Sequence, residues 1–261
     1  MKQKIAMIQL DIKYGDPRTN FKRAETFVEE AAIKGADVIL LPELWTTGYD
    51  LARLEEIADK NAEQSIEFLQ KMARDYGVHV IGGSVAEKCE DGVRNTMLVI
   101  DNKGQLIHKY SKLHLFKLMD EHVYLEEGLD EAEFVLAGVK SAGYICYDIR
   151  FPEWMRKAAL NKTKVMYIVA EWPKPRIDHW KVLLQARAIE NQCYVIACNR
   201  SGSDPKNEFG GMSLIIDPWG KIISEGGETE EIVVGEVDFA LVDEVRDRIP
   251  VFDDRREKRY G

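Results

Sequence analysis

The sequence has no excess of basic residues and no long hydrophobic run. Its 261 residues include 36 Lys and Arg against 45 Asp and Glu, which gives a formal net charge of −9. Nucleic acids and anionic membranes bind to clusters of Lys and Arg, so neither partner is expected. No apolar stretch approaches the roughly 20 residues that a membrane-spanning helix needs. We therefore expect neither a nucleic-acid-binding protein nor a membrane protein.

Cysteine and histidine are also scarce. There are four cysteines, Cys89, Cys146, Cys193 and Cys198. They are too few for a disulfide framework in a chain of this length, and no C-x-x-C pair suggests zinc. The five histidines are scattered, without the H-x-x-x-H spacing of a metal hydrolase, so no metal site is expected. Gln9 and Asp11 interrupt the first apolar run too early for a signal peptide. These features favour a reduced, cytoplasmic protein.

No repeat, low-complexity tract or flexible linker divides the chain, and 45% hydrophobic residues suffice for one large core. We predict a single α/β domain over residues 1–261. Apolar strands such as Val165–Ala170 alternate with helices, among them a long one from Trp180 to Gln192 that Asp178 should cap. Hairpins such as the one turning at Asp101–Gly104 argue against an all-parallel sheet. The pattern therefore predicts mixed sheets with helices outside them.

The most informative stretch is residues 143–153. Apolar Tyr144 and Ile145 lead into Cys146, charged residues follow, and Pro152 stands where a helix can begin. The pattern predicts a strand, a sharp turn and a helix, with the cysteine at the end of the strand. Backbone N–H groups of the turn and the positive end of the helix should favour the thiolate.

The other three cysteines have no such setting. Cys193 and Cys198 flank an apolar strand, and Cys89 is expected in a polar loop. Free cysteines are usually small buried hydrophobic residues. We therefore expect Cys146 to be the only reactive cysteine.

Two charged residues stand where packing does not require them. Glu43 follows the apolar strand Val38–Leu41 and a proline, and Lys112 lies just past a hairpin strand. Each one alone is more simply read as a surface charge. With Cys146 they would suffice for acyl transfer: the lysine lowers the pKa of the thiol and stabilises an oxyanion, and the carboxylate moves protons. Spacing alone does not establish that they meet.

A Cys-His protease is a weaker interpretation of the same residues. His114 and His122 could supply the histidine. However, no block of the papain type surrounds Cys146, and Glu43 and Lys112 would then have no role.

Three segments resemble the signature blocks of the nitrilase superfamily, the carbon–nitrogen hydrolases. They are Leu41–Tyr49, Tyr110–Phe116 and Ile145–Glu153, and they occur in the order that the family has. Similarity continues through Ala186–Gln192, Asp217–Gly220 and Ile249–Phe252, so it spans nearly the whole chain.

The resemblance implies an αββα sandwich of two mixed sheets, with outer helices. It implies Glu43 as general base and acid, Lys112 as oxyanion stabiliser and Cys146 as nucleophile. By the same analogy, the backbone N–H of Tyr147 is a second oxyanion donor. The chemistry runs through a thioester and needs no cofactor.

The family also places a second glutamate near the substrate, after the lysine block. Glu121 matches that position, and Asp120 and Glu126 are rival candidates. The family pairs its sandwiches through the helices beside the catalytic turn, here Pro152–Leu160 and Asp178–Gln192. A homodimer is therefore expected.

The segment Glu171–Arg176, followed by His179 and Trp180, resembles bacterial omega-amidases. These enzymes release ammonia from 2-oxoglutaramate and related omega-amides. Trp172 and Arg176 are the expected substrate-binding residues, since a guanidinium can hold a carboxylate through two parallel hydrogen bonds. Arg150 is the competing cation, but its place in the catalytic turn suggests a structural ion pair.

Other activities use the same three residues. An aliphatic amidase, a carbamoyl hydrolase and a nitrilase stay open, as does an inactive binding protein on this fold, because fold does not fix function.

Overall fold

Two β-sheets packed face to face form the centre of the molecule, and helices cover their outer faces. The computed structural model describes residues 1–259. The strands are β1 (Lys2–Gln9), β2 (Val38–Leu40), β3 (Asp59–Lys60), β4 (His79–Cys89), β5 (Gly92–Ile100), β6 (Leu106–Ser111), β7 (Glu133–Leu136), β8 (Val139–Ile145), β9 (Val165–Ala170), β10 (Tyr194–Asn199), β11 (Leu214–Ile216), β12 (Ile222–Glu225) and β13 (Glu231–Asp238). The helices are α1 (Pro17–Ile33), α2 (Leu54–Ile57), α3 (Glu63–Tyr76), α4 (Glu121–Tyr124), α5 (Pro152–Leu160), α6 (Ile177–Asn191) and α7 (Ala240–Arg248).

Both sheets mix parallel and antiparallel pairs. The first has the order β13-β1-β2-β4-β5-β6, with β3 beside β4, and the second has the order β12-β11-β10-β9-β8-β7. The parallel pairs lie at the centre of each sheet, where β1, β2 and β4 run together, as do β8, β9 and β10. Because the carboxyl ends of parallel strands meet at one edge of a sheet, residues that follow β8 and β9 are brought together. The residues that follow β2 in the other sheet meet them, since the N–H of Glu171 after β9 donates to Glu43 after β2.

The alternation of side chains along β1 explains the layers. Ile5 and Met7 belong to the core between the two sheets, while Ala6 and Ile8 belong to the core beneath α1 and α3. Trp180 of α6 belongs to the same buried cluster as Ile5 and Met7. The αββα sandwich of two mixed sheets predicted from the sequence is therefore confirmed.

Two local predictions are wrong. The N-cap of α6 is Arg176, without a capping side chain, and Asp178 lies in the first turn of the helix. The reason is the 3₁₀ turn Lys174–Arg176, which runs directly into α6. Cys89 does not lie in a loop but ends β4, where it pairs with Gly92. A hairpin can extend past its apolar residues because the ladder bonds need only backbone groups.

In residues 1–259, each helix is too short or too polar to cross a bilayer.

Candidate active site

Glu43 lies in a tight turn that follows β2. Leu44 adopts a left-handed φ of 41°, and its N–H donates to Ser84 Oγ at 2.9 Å. The turn packs against a bulge in β4 where Gly83 also has a positive φ, 59°, and a Cβ there would lie 2.1 Å from the Pro42 carbonyl oxygen. Only glycine permits this approach. The result is a glutamate with no exposed surface at the edge of the sheet.

Donors from four parts of the chain hold the Glu43 carboxylate. Its Oε1 accepts from Lys112 Nζ at 2.9 Å, Asn95 Nδ2 at 2.8 Å and the Tyr49 hydroxyl at 3.1 Å. Its Oε2 accepts from the backbone N–H of Glu171 at 2.8 Å. Such a set of bonds fixes both the position and the orientation of the carboxylate.

Lys112 follows β6 and lies between two buried carboxylates. Its Nζ donates to Glu43 Oε1 at 2.9 Å and to Glu121 Oε1 at 2.6 Å, and all three side chains are fully buried. Burial would lower the pKa of Lys112, but Glu121 and Glu43 raise it well above its usual value. Burial also raises the pKa of Glu121, which Lys112 opposes. The lysine is therefore a fixed positive charge.

Of the three acidic candidates after the lysine block, Glu121 lies in the site. It begins α4, and its Oε2 accepts from the Phe116 N–H at 2.7 Å, while its Oε1 competes with Glu43 Oε1 for the single proton of the Tyr49 hydroxyl. Asp120 and Glu126 are exposed. Asp120 has a left-handed φ of 59°, so the chain turns sharply just before Glu121.

Cys146 begins a 3₁₀ turn between β8 and α5, as the pattern predicted. Its φ is 45°, a left-handed backbone that costs a non-glycine residue about 1–3 kcal/mol. Asp148 stabilises the turn: its Oδ2 accepts from the Ile145 N–H at 3.0 Å and the Tyr110 hydroxyl at 2.8 Å, and its Oδ1 lies 2.7 Å from His114 Nδ1. The nucleophile candidate is thus positioned by a buried aspartate.

The surroundings of Cys146 oppose the predicted preference for its thiolate. Burial raises the pKa of the Cys146 thiol well above its usual value, and Glu43 raises it further; Lys112 lowers it by less. Cys146 is only 4% exposed, and the Lys112 ammonium is shared by two carboxylates. The thiol is therefore protonated at rest and needs a base to become a nucleophile.

A narrow cavity opens above Cys146. Its lining includes Cys146, Tyr147, Arg150, Glu171, Trp172 and Arg176. All three residues predicted beyond the catalytic group, Tyr147, Trp172 and Arg176, are therefore found on its wall. The Trp172 indole is fixed, because its Nε1 donates to the Arg176 carbonyl at 2.7 Å.

The predicted structural ion pair of Arg150 is wrong. Arg150 makes no salt bridge to any residue within 1–259; its guanidinium lies 4.8 Å from the centroid of the Trp172 ring, and its Nη2 lies 3.3 Å from His179 Nδ1. Stacking on the indole directs the side chain along the cavity wall. The cavity therefore has two cations, Arg150 and Arg176.

Sequence reasoning missed several residues that build the site. Tyr49 bridges Glu43 and Glu121, and Asn95 donates to Glu43. Tyr49 lies inside the first recognised block. Asn95 is a polar residue in a largely apolar hairpin strand. A polar side chain in that setting indicates a buried hydrogen bond, and this observation could have identified Asn95.

Comparison with known proteins agrees with this geometry. A model of the carbon-nitrogen hydrolase family matches residues 4–247. The chain is 56% identical over 260 residues to a 2-oxoglutaramate amidase of Bacillus subtilis (strain 168), covering 100% of both chains. It is 35% identical over 258 residues to the omega-amidase YafV of Escherichia coli (strain K12), covering 98% of each.

A solved structure gives the same result. Nit3 of Saccharomyces cerevisiae, described as a member of branch 10 of the nitrilase superfamily, superposes with a TM-score of 0.90 at 29% identity. The match covers 98% of this chain and 97% of that one. The resemblance predicted from the three motifs is confirmed, as is the prediction of an enzyme: the chain belongs to the carbon–nitrogen hydrolase family of the nitrilase superfamily.

Proposed function

We propose that this protein hydrolyses a small omega-amide to a carboxylate and ammonia, with 2-oxoglutaramate as the expected substrate. The names of the Bacillus subtilis and Escherichia coli relatives support an amide of this class. The observation that carries the proposal is the cavity above Cys146. Cys146 lies on its wall together with Arg176, and the charges of the buried Glu43–Lys112–Glu121 cluster act on the Cys146 thiol.

In the first half of the proposed reaction, Glu43 takes the proton of the Cys146 thiol. The sulfur attacks the carbonyl carbon of the amide, and the C=O electron pair moves onto oxygen. Lys112 and the backbone N–H of Tyr147 stabilise this oxyanion, a contribution of about 3 kcal/mol for each donor. Glu43 then returns its proton to the nitrogen, the C–N bond breaks, and ammonia leaves a thioester on Cys146.

In the second half, Glu43 accepts a proton from water, and the hydroxide attacks the thioester carbonyl. Collapse of this intermediate breaks the C–S bond and releases the acid, and the sulfur regains its proton from Glu43. Glu121 keeps Lys112 charged throughout, because its carboxylate lies 2.6 Å from the ammonium. Each step uses groups already present in the site, so the proposed reaction needs no cofactor.

The substrate's far end is proposed to carry a carboxylate. A chain of net charge −9 does not attract anions as a whole, so an acid needs a local cation. Lys112 is held by two carboxylates, whereas Arg176 lies on the cavity wall, with its guanidinium 5.6 Å from the centroid of the Phe116 ring. Arg176 is therefore the proposed carboxylate partner.

Ammonia release from a substrate panel tests the proposal. The panel contains 2-oxoglutaramate, a neutral amide of equal length, an amino-acid amide, a carbamoyl compound and a nitrile. We expect 2-oxoglutaramate to have the highest kcat/KM, about tenfold or more above the neutral amide, as a charge-assisted hydrogen bond would give. Faster turnover of the neutral amide or the nitrile would contradict the assignment.

We also propose that the protein is a homodimer that pairs through α5 and α6. Val182 and Ile189, seven residues apart on α6, are 65% and 52% exposed, and Leu160 at the end of α5 is 39% exposed. An apolar surface on the two helices beside the catalytic turn suits a symmetric interface. Light scattering should give twice the 29.9 kDa mass of one chain. A single-chain mass at working concentration would contradict this proposal.

A further inference from the structure

Glu171 is a buried carboxyl group that the proposed reaction does not use. It directly follows β9, its side chain has no exposed surface, and it lines the same cavity as Cys146 and Trp172. Its backbone N–H donates to Glu43 Oε2 at 2.8 Å, so the main chain beside it already fixes the base. The backbone contact does not require a glutamate, which leaves the side chain to be explained.

One of the two Glu171 oxygens is without a partner. Oε2 accepts from Arg200 Nη1 at 2.8 Å. Oε1 is buried and has no hydrogen-bond partner among residues 1–259. A buried polar atom without a partner costs about 1–3 kcal/mol, and native proteins rarely retain one. Since Glu171 lines the cavity, a ligand in the cavity is the group that can provide the partner.

The charge around Glu171 decides which kind of partner fits. Burial raises the pKa of Glu171 to about 8; Arg200 opposes this, while Glu43 and Asp204 raise the pKa further. Arg200 is only partly committed to Glu171, because its Nη2 donates to the Ile12 carbonyl at 2.8 Å. At neutral pH the carboxyl group is therefore mostly protonated, and an O–H group is a donor.

The other charged groups around the cavity fit this state. Arg200 also lies 4.0 Å from Asp11, so a second carboxylate acts on its guanidinium when Glu171 is neutral. Arg150 and Arg176 line the cavity beside Glu171. The two cations favour binding of an anion in the cavity. An ionised Glu171, a third buried carboxylate beside Glu43 and Glu121, would repel that anion, whereas a neutral Glu171 would not.

We propose that Glu171 is a specificity-determining residue whose neutral side chain donates a hydrogen bond from Oε1 to an oxygen atom of the 2-oxo acid end of the substrate. This inference rests on the proposed omega-amidase function. Glu171 would then act together with the guanidinium of Arg176. Its neutral carboxyl group would favour a 2-oxo acid over a neutral amide, because it donates a hydrogen bond to the acid and carries no negative charge that would repel it.

The test compares Glu171→Leu with Glu171→Gln. Glutamine keeps an acceptor for Arg200 and places an N–H donor where the carboxyl O–H would be, whereas leucine removes both. At pH 7 we expect Glu171→Leu to raise KM for 2-oxoglutaramate about 10- to 100-fold, the range for a lost buried hydrogen bond, with a smaller change in kcat. Glu171→Gln should recover most of this loss. A neutral amide of equal length should be affected less by Glu171→Leu.

A pH series separates this role from a structural one and does not depend on the leucine variant folding. Wild-type KM for 2-oxoglutaramate should rise between pH 7 and 9, because ionised Glu171 can no longer donate and repels the acid. In Glu171→Gln the rise should be absent, although other groups in the site are unchanged. Glu190→Gln is the control, since Glu190 pairs with Arg187 outside the cavity and should keep the wild-type profile.

The outcomes distinguish this inference from the proposed function. If the wild type does not prefer 2-oxoglutaramate to the neutral amide, the omega-amidase assignment fails and this inference fails with it. If the preference is present but Glu171→Gln is as impaired as Glu171→Leu, Glu171 acts as an ionised acceptor and the donor role is wrong. An identical pH profile in the wild type and Glu171→Gln would also overturn the inference.

Discussion

Two buried cysteines of the same sheet show what distinguishes a candidate nucleophile from a packing residue. Cys146 directly follows β8, and Cys198 is the last but one residue of β10, with β9 between the two strands. Cys146 is 4% exposed and Cys198 is fully buried. Burial raises the pKa of both thiols. Neither exposure nor burial therefore separates them.

Their neighbours do separate them. Cys198 Sγ lies 3.3 Å from the Ile8 carbonyl and 3.7 Å from the Leu40 carbonyl, so it points into the core between the sheets. Cys146 lies past the end of its strand, where Glu43 and Lys112 act on its thiol. A buried thiol becomes useful for catalysis where a base and a cation are buried with it.

The largest expected effect comes from removing each sulfur in turn. Cys146→Ala should lower kcat by at least about 10⁴-fold, as loss of a nucleophile does in other hydrolases, and should leave the fold intact. Cys198→Ala should keep turnover within about threefold and lower the free energy of unfolding by about 1 kcal/mol through the small cavity it leaves. Ammonia release and thermal unfolding of both variants check this. Full activity in Cys146→Ala would refute the proposed mechanism.

The second test removes the neighbours and keeps the thiol. Glu43→Gln and Lys112→Ala should each lower kcat by about 10³-fold, and the double variant should lose little more than the worse single one, because residues that act as a unit are not additive. Lys112→Ala leaves two buried carboxylates without their ammonium, which is destabilising, so Lys112→Met and thermal unfolding serve as controls.

A double variant with the summed penalty of the two single variants would mean that Glu43 and Lys112 act separately. The shared-site proposal would then be withdrawn.

The sequence predicted the site's main residues through three family motifs, because Glu43 and Lys112 taken alone look like surface charges. Cys146 directly follows an apolar strand, Glu43 follows an apolar strand and a proline, and Lys112 follows the more polar strand β6. The protonation state of the thiol could not be predicted from the sequence, because it depends on how many carboxylates share Lys112. Tyr49 and Asn95 were missed since their roles come from contacts with residues distant in sequence, Tyr49 with Glu121 and Asn95 with Glu43.

The same limit explains two wrong predictions. Asp178 follows the preference of aspartate for an N-cap, but the preceding 3₁₀ turn had already started the helical path. Arg150 was assigned an ion pair because a charged residue in a buried turn usually needs one, yet the Trp172 ring supplies a stacking surface instead. In the first case the preceding turn displaced the cap, and in the second a tertiary contact replaced the ion pair.

A third, smaller effect should come from the turn that presents Cys146. Asp148→Asn weakens the bonds to the Ile145 N–H and to Tyr110, so the thiol should be misplaced and kcat should fall about 10- to 100-fold. Asp217→Asn is the matched control, because Asp217 caps the β11–β12 hairpin through the N–H groups of Trp219 and Lys221. Equal losses of kcat in the two variants would mean that Asp148 is not specific to the site.

The smallest expected effect concerns recognition of the substrate's acid end, which binds away from Cys146. Arg176→Ala should raise KM for 2-oxoglutaramate about tenfold, leave kcat nearly unchanged and leave the neutral amide of equal length unaffected, because only the acid would lose a guanidinium contact. Lys174→Ala is the control from the same 3₁₀ turn, since Lys174 is exposed and pairs with Glu228 outside the cavity. Arg150→Ala decides between the two cations on the wall. If it removes the preference for the acid and Arg176→Ala does not, the carboxylate binds Arg150, and Arg176 supports the cavity only through its carbonyl bond to Trp172.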